Sequence, residues 1–327
     1  MFLCSMEDFM KKTFLVLCLL ILTSLMFANT GNFSITGDFA YYPKSTPVSN
    51  SEKSWFAPIK GIYSSVEARV IGKYNYVIPT PFGTNPLVSG NNLNLGFALE
   101  LTPVTITPEF SLCFTPVAFL KFTTSGRIGT GWNFIGNMGI GKLDSPKDGY
   151  VSVPSFQNWY YEFKFSSLFQ FDLGVVIPGD WTHVVTQASY DVIYNGQTSA
   201  KEGEPWYWQA GGEYFNGWKY YSNIIIGYQM PLVLQTVGVQ FEFSGYFDGL
   251  KVNAPYKDWN PYFTKIAINP VMILEFTENQ ALTIQFNFSS RRGFSVEKGD
   301  SKTYLDLNYV GREWYFSRIA FSYTIKL

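Results

Sequence analysis

The 327-residue sequence contains a single histidine, His183. A histidine can act as a general base near neutral pH, provided that it lies within hydrogen-bond reach of its nucleophile. On a strand such a partner would share its face, at an even offset. Positions 185 and 187 are Val185 and Gln187, which offer no nucleophile. Ser189 and Asp191 share the face but would lie roughly 20 and 26 Å away at about 3.3 Å per residue. Partners on a neighbouring strand are not readable from the sequence, and His183 otherwise reads as a polar residue beside the turn at Pro178, Gly179 and Asp180. One histidine and no cysteine cluster give no transition-metal pattern. The carboxylates of 142–148 lack the spacing of a calcium loop, so neither metal nor cofactor is expected. A second cluster, Glu202, Glu204, Trp206, Tyr207 and Trp208, could stack aromatic faces on a sugar and offer carboxylates to its hydroxyls. The simpler reading is loop packing or an aromatic girdle.

The elements that must position these groups follow from a period of two. In the last fourteen residues Ile319, Phe321, Tyr323, Ile325 and Leu327 fall on one face, and Arg318, Ala320, Ser322, Thr324 and Lys326 on the other. Such alternation marks a strand with one apolar and one polar face. It recurs over 93–102, 159–177, 218–230, 232–247, 263–276 and 281–293. The polar faces carry Glu67, Arg69, Glu100, Glu162, Lys164, Asp172, Lys219, Glu242, Lys265, Glu275 and Arg291, with both signs mixed.

Composition agrees. Charged residues are 15% of the chain and aromatics 19%, with 24 Lys and Arg against 25 Asp and Glu. Two of each sign lie in 1–28, so the remainder stays near neutral, and nucleic acid is not an expected partner. No apolar run of about 18 residues follows residue 28, which argues against membrane helices. From Met10 the chain reads as a signal peptide: Lys11 and Lys12, an apolar run over 14–22, and a cleavage site after Ala28. That divides the chain into a leader, 1–28, and one all-β domain, 29–327. Beyond the leader Cys113 is the only cysteine, so no intrachain disulfide can form.

An exported chain of strands with alternating faces resembles the bacterial outer-membrane β-barrel proteins. The resemblance implies a single antiparallel transmembrane barrel in the outer membrane, with lipid and the insertion machinery as partners. It also implies that the final strand, with Ile319, Phe321, Tyr323, Ile325 and Leu327, is read during insertion. Leu327 stands where that class usually ends in Phe or Trp.

Strands are expected near 60–72, 93–102, 109–130, 159–177, 181–194, 218–230, 232–247, 263–276, 281–293 and 314–327. Segments 31–42 and 304–310 are further candidates, giving ten to twelve strands. Short connections, including 103–108, are expected at the periplasmic end, and long ones, including 73–92, at the surface. The polar faces would then line the lumen. The sequence leaves four readings open: a narrow porin-like channel for small polar solutes without enzymatic activity; a non-conducting structural or surface-binding barrel with unspecified loop partners; a barrel enzyme using His183; and a secreted soluble β-sandwich such as a lectin, whose apolar faces would pack together.

Overall fold

The computed structural model describes residues 31–45, 56–80, 88, 90–145, 149–209, 211–254, 256–296 and 307–327. The expected leader lies outside them. Twelve long antiparallel strands form one sheet that closes on itself. They are β1 (Gly31–Ser45), β2 (Ile59–Pro79), β3 (Asn92–Leu101), β4 (Thr105–Val117), β5 (Leu120–Gly131), β6 (Trp159–Asp172), β7 (Val184–Gln197), β8 (Gly217–Gln229), β9 (Leu234–Tyr246), β10 (Lys265–Thr277), β11 (Gln280–Val296) and β12 (Leu307–Lys326). Each pairs with its sequence neighbours, and β1 pairs with β12 from Ser34↔Lys326 to Tyr41↔Ile319. Closure gives every strand two partners, which in a bilayer is the condition for burying a sheet's backbone in lipid. Among the described residues no helix is long and apolar enough to cross a membrane.

The two faces differ as the alternation requires. On β6, Phe163, Phe165, Phe169 and Phe171 are 42–52% exposed, whereas the intervening Glu162 side chain is only 9% exposed. The phenylalanines point out to where lipid would lie, and Glu162 points into the lumen. The seam follows the same rule: Phe39 and Phe321 meet outside with ring centroids 6.4 Å apart, and the Thr36 and Thr324 hydroxyls bond at 2.9 Å inside.

Several sequence expectations need correction. The stretch 109–130 is two strands, β4 and β5, joined at Ala118 and Phe119. Phe114 pairs with Phe122, so even-numbered residues point outward on both sides of the turn. The alternation therefore runs through the hairpin without a break. The turn also lacks the Gly or Asn that would announce it. Counting two strands as one inverted the sidedness of everything before it. The connection 102–104 lies at the end opposite the C-terminus, whereas β2 ends and β3 begins, at Pro79 and Asn92, at the C-terminal end beside β1's start. Segment 31–42 is a full strand. Residues 307–310 belong to β12 rather than to a strand of their own, and 304–306 lie outside the described residues.

Because β12 closes the barrel, a charge on its lipid face should prevent assembly. Phe321→Arg would cost about 2–4 kcal/mol at the bilayer midplane. Heat-modifiable migration in gel electrophoresis is expected to be lost for Phe321→Arg and kept for Ser322→Arg, which faces the lumen. Equal assembly of the two variants would contradict the assigned faces.

Candidate functional site: a charge belt and a loop sheet inside the barrel

Inward side chains of alternating charge run along the wall from β1 to β8. The Arg69 Nε donates to Asp38 Oδ2 at 2.6 Å, and its Nη1 lies 3.3 Å from Glu100 Oε2. Arg127 Nη2 is 3.8 Å from Glu100 Oε1. Arg127 is the register partner of Glu162, whose Oε2 lies 3.6 Å from Lys219 Nζ. These six groups alternate in sign on β1, β2, β3, β5, β6 and β8, and Glu109 of β4, the register partner of Arg127, adds a further acid at this level. A second group completes the ring. Tyr42 donates to Glu67 and accepts from Arg318 Nη1 across the seam, at 2.7 and 3.1 Å. Tyr221 donates to Glu242, which also accepts from Asn269 at 2.7 Å. Ionised groups so poorly exposed need partners: Asp38, Glu100 and Glu162 meet cations, Glu242 accepts from two donors, and Glu67 accepts from Tyr42, which is itself bonded to Arg318.

The structure brings together Glu67, Arg69, Glu100, Glu162, Lys219 and Glu242 of the residues proposed for the lumen. The belt also uses Asp38, Arg127 and Arg318. Arg318 was visible on the polar face of the last strand. Asp38 lies in 31–42, only a further candidate strand in the sequence, and Arg127 in 109–130, which the sequence reads as one strand. Arg291 forms a separate pair with Glu313 at 2.6 Å and lies over the Tyr315 ring. Lys265 and Glu275 sit near opposite ends of β10, and Lys164 lies one inward position below Glu162. Asp172 ends β6. It accepts from the Gly174 amide, capping the short helical turn Leu173–Val175, and bonds His183 Nδ1 at 2.7 Å. His183 thus has an acidic partner across the turn, where a same-strand search could not find it. Among the described residues no hydroxyl or thiol hydrogen-bonds to this pair.

The upper lumen is occupied. Two long connections contribute a four-stranded sheet in the order Gly149–Ser152, Ile140–Ser145, Trp206–Trp208, Gly211–Tyr214. Trp206 is fully buried, and Trp208 stacks on inward-facing Tyr160 at 4.6 Å. Opposite Trp208 the wall carries Gly129. A Cβ there would sit 2.7 Å from both the Trp208 ring and Thr107 Oγ1, so only glycine admits the indole. These tryptophans are neither a girdle nor an open sugar platform, because protein covers their rings. Burial raises the Tyr214 pKa, with Glu162 and Glu67 adding to it, and burial together with Glu67 raises that of Tyr207. The stack of Trp208 on Tyr160 sets the loop sheet against the β6 wall.

Gln209 joins sheet to belt. Its Nε2 donates to Glu100 Oε1 at 2.8 Å and to Thr105 Oγ1 at 3.1 Å, and its amide donates to the Gly139 carbonyl at 2.8 Å. Its φ of 56° lies in the left-handed region, where a non-glycine residue is held only by its surroundings.

A closed antiparallel barrel with an apolar exterior and a charged, hydrogen-bonded interior defines a class: the outer-membrane β-barrel proteins. No family model and no curated protein matches the chain. Among solved structures it is similar to the β domain of the Bordetella autotransporter BrkA, at 9% identity and a TM-score of 0.39. That match covers 91% of this chain and 99% of the other. It is also similar to the outer membrane channel DcaP of Acinetobacter baumannii, at 9% identity and a TM-score of 0.37, with 91% and 96% covered. A third is the outer membrane phospholipase A from Escherichia coli, at 8% identity and a TM-score of 0.34, with 90% and 96% covered. The class rests on this chain's own strand pairing and faces, not on these likenesses.

Removing one member of the belt leaves a poorly exposed charge without its partner, at about 3–5 kcal/mol. Lys219→Met, which strips Glu162 of its ion-pair partner, is expected to lower the urea midpoint of the refolded barrel clearly. Adding Glu162→Leu should recover much of the loss. A single variant as stable as the parent would contradict the pairing.

Proposed function

We propose that the protein is a narrow porin-like channel for small polar solutes whose own loop sheet closes it at rest. The observation that carries this reading is the docking of Trp208 and Gln209 on the inner wall. Below the belt the wall carries small polar side chains, among them Asn94, Ser111, Ser125, Ser166 and Thr324, together with Lys73, Lys121, Lys164 and Asp191, by their register with inward residues. Such a surface suits water and hydroxyl-rich solutes. Within the belt five carboxylates, with Glu109 beside them, face four cations, a near balance that gives at most a weak preference for cations. Passage would then require the sheet 206–214 to leave the wall, breaking the Gln209–Glu100 contact and unstacking Trp208 from Tyr160.

The rival reading is a permanently plugged structural barrel, favoured by the hydrogen bonds that tie Gln209 of the loop sheet to Glu100 and Thr105 of the wall. The Asp172–His183 pair supports an enzymatic reading only as far as an acid and a base, since the third member of a hydrolytic set is missing among the described residues.

Single-channel recording on the refolded mature chain separates these readings. The parent is expected to be silent for most of the record with brief openings. The double variant Trp208→Ala, Gln209→Ala is expected to stay open at least about tenfold longer, as loss of roughly 1.4 kcal/mol of closing energy would give. Silence from both proteins, each showing heat-modifiable migration, would contradict a channel and favour the plugged barrel.

A further inference from the structure

Below the belt the balance of charge changes sign. Lys73 of β2, Lys121 of β5 and Lys164 of β6 face the lumen there, by their register with Ser34, Leu168 and Ser125. Among the described residues none of these three forms an ion pair, whereas Arg69, Arg127 and Lys219 of the belt each do. Asp191 of β7 joins them below the belt, and its carboxylate accepts the Ser166 hydroxyl at 2.6 Å. Three ammonium groups thus face one carboxylate. On the facing wall β9 to β12 present uncharged side chains, among them Gln240, Thr283, Gln285 and Ser322. At the mouth Glu275 of β10 and Lys326 of β12 both point inward and offset one another. Cys113 of β4 faces the same space, between Asn94 and Thr123. Lys121 lies two residues from Thr123 on the same face, which makes it the diagonal neighbour of Cys113, about 7–8 Å away.

We infer that the lumen below the belt is a binding vestibule for small organic anions, hydroxylated carboxylates in particular. The lysine ammonium groups meet the carboxylate in charge-assisted hydrogen bonds, and the serine, threonine and amide side chains around them meet the hydroxyls. A neutral sugar would find the hydroxyl partners and leave the ammonium groups unpaired. A cation would enter a space whose excess charge has its own sign. The lysines stand on three strands rather than at one point, so their field draws an anion in along the wall instead of trapping it at a single contact. The vestibule lies on the C-terminal side of the belt and does not rest on whether the loop sheet leaves the wall. In a conducting barrel it sets the sign of the solute.

Labelling of Cys113 in the refolded full mature chain tests the assignment, since no other cysteine follows residue 28. Rates are measured in detergent with a sulfonate-bearing and a trimethylammonium-bearing thiosulfonate. Each rate is divided by that reagent's rate with free 2-mercaptoethanol. The normalised anionic rate is expected to exceed the cationic one about tenfold, as a wall of one sign concentrates its counter-ion. The ratio should fall toward one when Lys73, Lys121 and Lys164 are all replaced by Met, and in high salt. Asp191→Asn should raise it, a shift that damage to the fold would not produce. Heat-modifiable migration checks the folding of each variant. Gluconate should slow labelling of the parent by neutral N-ethylmaleimide, and sorbitol, its uncharged counterpart, should not. A parent ratio at or below one, a ratio unmoved by the lysine substitutions, equal slowing by gluconate and sorbitol, or a Cys113 that no reagent reaches would each overturn the proposal. None of these readouts needs conduction, so a barrel silent in single-channel recording can still show the vestibule.

Discussion

The Glu100 carboxylate, only 8% exposed at the residue level, is the junction on which the interior depends. It receives Arg69 from β2, Arg127 from β5 and the Gln209 amide from the inserted loop sheet. A carboxylate that poorly hydrated is stable only while its donors stay in place. The wall and the plug are therefore held by one anion. Arg127 leads from Glu100 to Glu162 and Lys219, and Arg69 leads to Asp38 on the strand that forms the seam. The same ion that levels the belt around the barrel also fixes where the loops enter it.

That arrangement needs the closed sheet. Paired charges on the inner wall require a fixed register, since a slip of one residue would turn a strand's charge out into lipid. The pairing from Ser34↔Lys326 to Tyr41↔Ile319 sets the register at closure, and above it Tyr42, Glu67 and Arg318 continue the clasp with side chains. Apolar residues outside and paired charges inside are thus two consequences of one register. Aromatic loop residues find their burial only because the barrel supplies a wall, Tyr160 and Gly129, on which Trp208 can lie.

The strand faces were legible in the sequence because lipid on one side and polar lumen on the other impose a strict period of two. Glu67, Arg69, Glu100, Glu162, Lys219 and Glu242 could be picked out on that basis alone. The hairpin at Ala118 and Phe119 was not legible, because the parity of Phe110, Phe114, Phe122 and Ile128 passes unchanged through a turn with no turn residue. Length could have revealed it: a 22-residue strand is about twice the 9–11 that a tilted strand needs to cross a bilayer. The Asp172–His183 pair and the burial of Trp206 and Trp208 join segments through space, and no period in the chain encodes such contacts. An aromatic loop reads as a girdle until something is known to cover it.

The position of the loop sheet is the central claim, and proximity labelling in the intact membrane tests it most directly. In a Cys113→Ser background, cysteines replace Gln209 and Thr105, whose side chains hydrogen-bond at 3.1 Å. A short bifunctional thiol reagent is expected to join them in high yield, and a bulky membrane-impermeant maleimide should label position 209 poorly. Free labelling of position 209 without cross-linking would show that the sheet stands outside the lumen and would contradict the account.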